Sequence, residues 1–128
     1  MTVIARLIGV YDADGGLRGE IAYLAGKVAG RHCTLCDITH SPVRRRRDWD
    51  AYAARLPVPF DLVHRNERTP ALEDATEGRE ACVVALCDDG TITLLLGNDD
   101  LARASDVAGL ADALDVAVAA SGLHWPSA

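Results

Sequence analysis

The opening segment Val3 to Tyr11 is a nearly continuous apolar run, the pattern of a buried strand with cover on both faces. It stops at Asp12-Ala13-Asp14-Gly15-Gly16, a turn or loop. Leu17, Ile21, Leu24 and Val28 then recur at spacings of four, three and four, which predicts a helix that Gly30 closes. A loop rich in cysteine and histidine follows. Ser41-Pro42 reads as an N-cap with proline in the first turn, opening a second helix to about Leu56 with the apolar stripe Trp49, Tyr52, Ala53 and Leu56. Pro57 and Pro59 bracket its end. Phe60 to His64 is a second strand, with Phe60, Leu62 and His64 on one face and Asp61 and Val63 on the other. A short helix is expected near Pro70 to Thr76. Ala81 to Cys87 and Thr91 to Leu96 are two strands joined by the turn Asp88-Asp89-Gly90. Two helices end the chain. Asn98 or Asp99 is the expected cap of the first, and Ser105 or Asp106 of the second, whose stripe is Val107, Leu110, Leu114 and Val118.

No linker, repeat or low-complexity block divides this order, so residues 1–128 are expected to form one α/β domain. With 128 residues and 49% hydrophobic content, the chain should fold without needing a disulfide or a metal as a staple. Its net charge of −6, with one basic cluster at Arg44 to Arg47, argues against nucleic acid as a partner. No apolar run is long enough for a membrane span and no signal-peptide plan opens the chain, so a cytoplasmic protein without a membrane partner is expected. Cys33, Cys36, Cys82 and Cys87 would then sit in a reducing compartment, where metal or redox chemistry is a better use of thiols than structural disulfides.

The densest chemistry is His32-Cys33-Thr34-Leu35-Cys36-Asp37-Ile38-Thr39-His40. Two thiols separated by two residues grip one tetrahedral ion through a tight turn, and His40 offers a third ligand. The fourth position falls to His32, to His64 at the end of the second strand, to Glu67 or to water. Thiolate with imidazole suits Zn(II), Cu(I) or iron, with zinc the default because it is redox-silent and common. The competing use of Cys33 and Cys36 is thiol-disulfide exchange, which His32 and His40 would favour electrostatically and Asp37 would oppose. A third reading is an interaction module with Arg44 to Arg47 as its contact patch.

Cys82 and Cys87 lie at opposite ends of one strand on opposite faces, as buried core residues. His124 and Trp125 are expected in a loosely packed tail. Arg65, Glu67 and Arg68 are expected to form ordinary surface pairs beside His64, although ligand sites favour the carboxyl ends of parallel strands, where Asp12, Asp14, His64, Glu67 and an anion-contacting Arg65 would meet. If the helix after Pro42 runs down toward Pro57, its start delivers His40 beside Asp12 and His64, and the two polar groups become one site.

In element order the chain resembles the thioredoxin-like superfamily over nearly its full length. That resemblance implies a mixed sheet of about four strands flanked by helices, its first strands parallel and its last pair antiparallel, here with an inserted Cys/His loop and helix after the first helix. Enzymes of that superfamily carry Cys-x-x-Cys after the first strand, where this chain has Asp12 to Gly16, and a cis-proline before the third strand, where it has Glu80-Ala81. The combination of Val10 to Gly15, the His32 to His40 motif and Val63 to Glu67 also resembles small bacterial proteins sometimes labelled as GTPases. The phosphate-binding Gly-x-x-x-x-Gly-Lys-Ser/Thr is absent, since Gly26-Lys27 is followed by Val28 and preceded at the required spacing by Ile21.

Overall fold

The structure is a computed structural model and describes residues 2–11, 35, 43–104 and 106–126. Strand β1 (Ile4–Val10) is followed by α1 (Val43–Arg55), β2 (Phe60–Val63), a single 3-10 turn (Arg65–Glu67) and α2 (Pro70–Thr76). The hairpin strands β3 (Cys82–Cys87) and β4 (Ile92–Leu96) come next, then α3 (Asn98–Ala104) and α4 (Val107–Ser121). These agree with the elements read from periodicity and turn residues. The helix expected from Leu17 to Gly30 lies outside the described residues.

The strands form one four-stranded mixed sheet in the order β2-β1-β3-β4. β1 and β2 are parallel, with Leu7 opposite Phe60 and Val10 opposite Val63. β1 with β3 and β3 with β4 are antiparallel. A parallel pair requires a crossover connection, and α1 is its last leg, delivering the chain through Val58 to the start of β2.

Side-chain alternation divides β1 between two apolar clusters. Leu7 and Tyr11 join Leu35, Trp49, Leu110, Leu114 and Val118 on the larger side, where Phe60 and Leu62 of β2 also pack. Ile8 and Val10 join Leu72, Cys82 and Val84 on the other, under α2. The predicted stripes are the buried faces of the helices: all four stripe residues of α4 are buried, Trp49 of α1 is buried, and Tyr52, Ala53 and Leu56 pack against the same core. Trp49 meets Phe60 edge-on at 4.7 Å between ring centroids, a favoured aromatic geometry.

Local chemistry sets the element ends. Asp106 caps α4 by accepting from the Gly109 N–H at 2.7 Å, and Gly122 at φ +77° closes it in the left-handed conformation. Thr69 caps α2 ahead of Pro70. The cap of α3 differs from the expected Asn98 or Asp99: the Leu101 N–H bonds to the Gly97 carbonyl, and Asp100 reaches back to accept from the Gly97 N–H at 2.9 Å. Gly97 is therefore the cap: its carbonyl accepts the first helical bond, and Asp100, three residues on, satisfies its N–H as the return half of a capping box does. The hairpin turns on Gly90 at φ +87°, with the Thr91 N–H held by Asp89. The peptide bond between Glu80 and Ala81 is cis.

One expectation fails outright. The C-terminal segment is not loose: the Ile4 N–H donates to the His124 carbonyl at 2.8 Å, the His124 N–H donates to Thr2 at 3.0 Å, and Trp125 packs on the larger core. Backbone pairing with Val3 holds this segment, and backbone pairing leaves no mark on side-chain pattern. None of the described helices is long and apolar enough to cross a membrane.

Candidate functional site

The carboxyl ends of β1 and β2 lie side by side, and the residues that follow them are Tyr11 and His64. The Tyr11 N–H donates to the Val63 carbonyl at 2.9 Å, extending the parallel ladder by one step. This sets the Tyr11 ring against that of His64, with centroids 5.1 Å apart and planes inclined by 58°. Tyr11 is buried, whereas the His64 side chain is about one third exposed.

Glu67 fixes His64 from the other side. The chain turns through the 3-10 turn, whose first bond runs from the Glu67 N–H to the His64 carbonyl at 2.9 Å. Glu67 Oε1 then accepts from the His64 N–H at 2.7 Å and stands 2.7 Å from His64 Nδ1. The backbone N–H of His64, and next its ring, hold the Glu67 carboxyl below the usual carboxylate range.

Leu35 belongs to the same face. Its side chain is fully buried in the larger core. It lies over Gly9, where an added Cβ would stand 3.0 Å from Leu35 Cδ2, 2.9 Å from Leu62 Cδ2 and 3.2 Å from Phe60 Cε1. A side chain at position 9 would occupy that space, so the glycine is what lets Leu35 seat directly on the sheet. Gly9 pairs with Leu62, and two residues further along the strands stand Tyr11 and His64.

Of the proposed ligands Cys33, Cys36, His40, His64 and His32, only His64 is among the described residues; Asp12 and Asp14 also lie outside them. Among the described residues no group of three or more His, Cys, Asp or Glu side chains gathers as a metal centre. Cys82 and Cys87 are buried and unpaired with each other, in opposite clusters as expected. Burial pushes the Cys82 thiol up to about 11 and raises Cys87 as well. Neither is a ready nucleophile, because reactivity belongs to the thiolate.

Arg68 corrects the reading of this stretch as surface pairs. Its side chain is 4% exposed and bonds Glu80 Oε1 at 2.7 Å, Thr76 Oγ1 at 3.0 Å, Glu77 Oε2 at 3.1 Å and the Arg65 carbonyl at 2.8 Å. Glu80, at 9%, is nearly as buried. The guanidinium therefore ties the turn after β2 to the end of α2 and to the entry of β3. Arg65 itself is exposed. A groove of about 500 Å³ opens at the opposite edge of the sheet, between β4, α3 and α4, where Leu95, Leu96, Ala113 and Val116 alternate with Asp100, Arg103 and Asp112, and none of the described residues that line it is a cysteine or histidine.

Leu35 and Tyr11 are the site residues that sequence reasoning passed over. The signal for Leu35 was available: it is the one strongly apolar residue between the two cysteines, and Gly9 is the gap in an otherwise bulky strand. No protein family, curated protein or solved structure matches the chain.

Proposed function

We propose that this protein binds a transition-metal ion, zinc first with copper(I) or iron as alternatives, through Cys33, Cys36 and His40, with His64 or His32 completing the site. The seat of Leu35 carries the reading. Leu35 stands two residues after Cys33 and one before Cys36, and it packs on Gly9 beside Leu62, next to the strand ends that carry Tyr11 and His64. A residue two positions away along a chain lies within about 7 Å in Cα distance. Leu35, the described residue of the motif, and the strand end that carries His64 share one face of the sheet, which supports a single site built from the motif and His64.

His64 suits the role. Its Nδ1 is engaged by a carboxylate, the arrangement that commonly orients a histidine ligand. The strand order β2-β1-β3-β4, with one parallel and two antiparallel pairings, supports a thioredoxin-like assignment for the fold, with the Cys/His segment moved to the crossover between β1 and β2. Ligand sites in such sheets favour the carboxyl ends of the parallel strands. The work of the site is metal handling or metal-dependent chemistry.

Cobalt(II) titration of the reduced, metal-free protein tests this. Thiolate-to-metal charge-transfer absorption saturating at one ion per chain is expected, lost in C33S and C36S and displaced by zinc. Absence of that band, together with reduction of a model disulfide that depends on Cys33, would replace the metal reading with thiol-disulfide exchange.

A further inference from the structure

Resting on the metal reading above, we infer that Glu67 is a positioning residue that holds His64 in its Nδ1–H form, so that Nε2 is the atom the ring offers to a metal ion. An ionised carboxylate only accepts hydrogen bonds, so the 2.7 Å contact between Glu67 Oε1 and His64 Nδ1 requires the proton to sit on Nδ1. In the neutral ring the remaining lone pair then belongs to Nε2. Among the described residues the side-chain hydrogen bond of His64 runs to Glu67 alone.

Two further contacts make the arrangement rigid. The same Oε1 accepts from the His64 backbone N–H at 2.7 Å, so one oxygen grips both the main chain and the ring of one residue. Tyr11 covers the ring at 5.1 Å. One oxygen of Glu67 is thereby spent on His64, which places the carboxylate behind the ring. A bare imidazole nitrogen selects zinc, copper or iron over magnesium or calcium, which prefer all-oxygen sites.

Long-range proton–nitrogen correlation spectra of the metal-free full chain, with His64 assigned by comparison with H64A, report the tautomer directly. The wild type should show a protonated Nδ1 and a bare Nε2. E67A should shift His64 toward the Nε2–H form that free imidazole side chains favour, whereas E67Q, whose amide oxygen still accepts both bonds, should retain the wild-type pattern. Zinc affinity measured on the same samples should fall about 10- to 100-fold in E67A and stay close to wild type in E67Q. An Nε2–H ring in the wild type, or an E67A spectrum and zinc affinity equal to wild type, overturns the positioning role while leaving zinc binding intact. The expected tautomer in a wild type that binds no zinc instead overturns the metal reading, and the ligand role of Nε2 with it.

Discussion

Arg68 shows how much one side chain can carry outside the site. It is buried with Glu80 and bonded to the end of α2, so removing it strands a carboxylate in a place that water scarcely reaches. R68M should cost about 3–5 kcal/mol in urea unfolding, and the double variant R68M/E80M should recover much of that, because an unpaired buried charge costs more than a missing pair. A single-variant loss below about 1 kcal/mol, the range of an exposed pair, would mean the network is solvated. None of this was legible beforehand. Arg65-Asn66-Glu67-Arg68 reads as a polar loop, and the partners that bury Arg68 come 8 and 12 residues later. Cys82 was legible, since an apolar strand surrounds it. Its thiol ionises near 9.0 when unfolded and at about 11 when folded. The sign follows: the unfolded chain loses this proton first, so its contribution to stability is intact below about pH 9 and declines as pH rises toward 11. Unfolding of the metal-free protein at pH 8 and pH 10 should show that decline, and C82A should flatten it. In the native state at neutral pH an aromatic disulfide reagent should leave Cys82 and Cys87 unreacted until denaturant is added.

The elements themselves were largely readable, because apolar spacing and turn residues act locally. Val107, Leu110, Leu114 and Val118 repeat at helical spacing and are the buried residues of α4, and Asp88-Asp89-Gly90 makes the hairpin turn. Caps were less secure, since several polar residues in a row offer equivalent side chains, and α3 resolved that choice with Gly97 and Asp100. The pairing of His124 with Val3 was unreadable because it is made by backbone groups of distant segments. Two predictions belong at this scale. D106A removes a cap that holds the Gly109 N–H and should cost about 1 kcal/mol, with metal affinity unchanged. G9A adds a methyl group where Leu35 and Leu62 already meet the strand and should cost about 1–3 kcal/mol as an overpacked core does. It should also weaken the proposed metal binding, because Leu35, which packs there, lies between Cys33 and Cys36 in the sequence. G9A that binds metal as tightly as wild type would contradict the link between the seat of Leu35 and the site.

For the molecule as a whole, the sheet order explains why a site at this position makes sense. Parallel β1 and β2 force the intervening chain to cross over, and their carboxyl ends set Tyr11 and His64 side by side. The crossover is also the stretch that contains the thiols. Sequence reasoning reached the mixed sheet and the place of Cys82 and Cys87 in the core. Leu35 and Gly9 each stand out locally, but that the two meet lay beyond the sequence, because contact between residues 26 positions apart depends on the fold. The core draws one residue, Leu35, from the Cys/His motif and the others named above from the remaining elements, which predicts that metal adds to stability without creating it. Chelator should lower the melting temperature of the protein as purified while leaving it folded, since an ion that binds only the native state stabilises by mass action. The central claim is most directly tested by native mass spectrometry of freshly purified protein with and without chelator. One zinc or copper ion per chain, removed by chelator and missing from C33S and C36S, is the result predicted; a mass equal to the bare chain under every condition, with a melting temperature that chelator does not move, would contradict it.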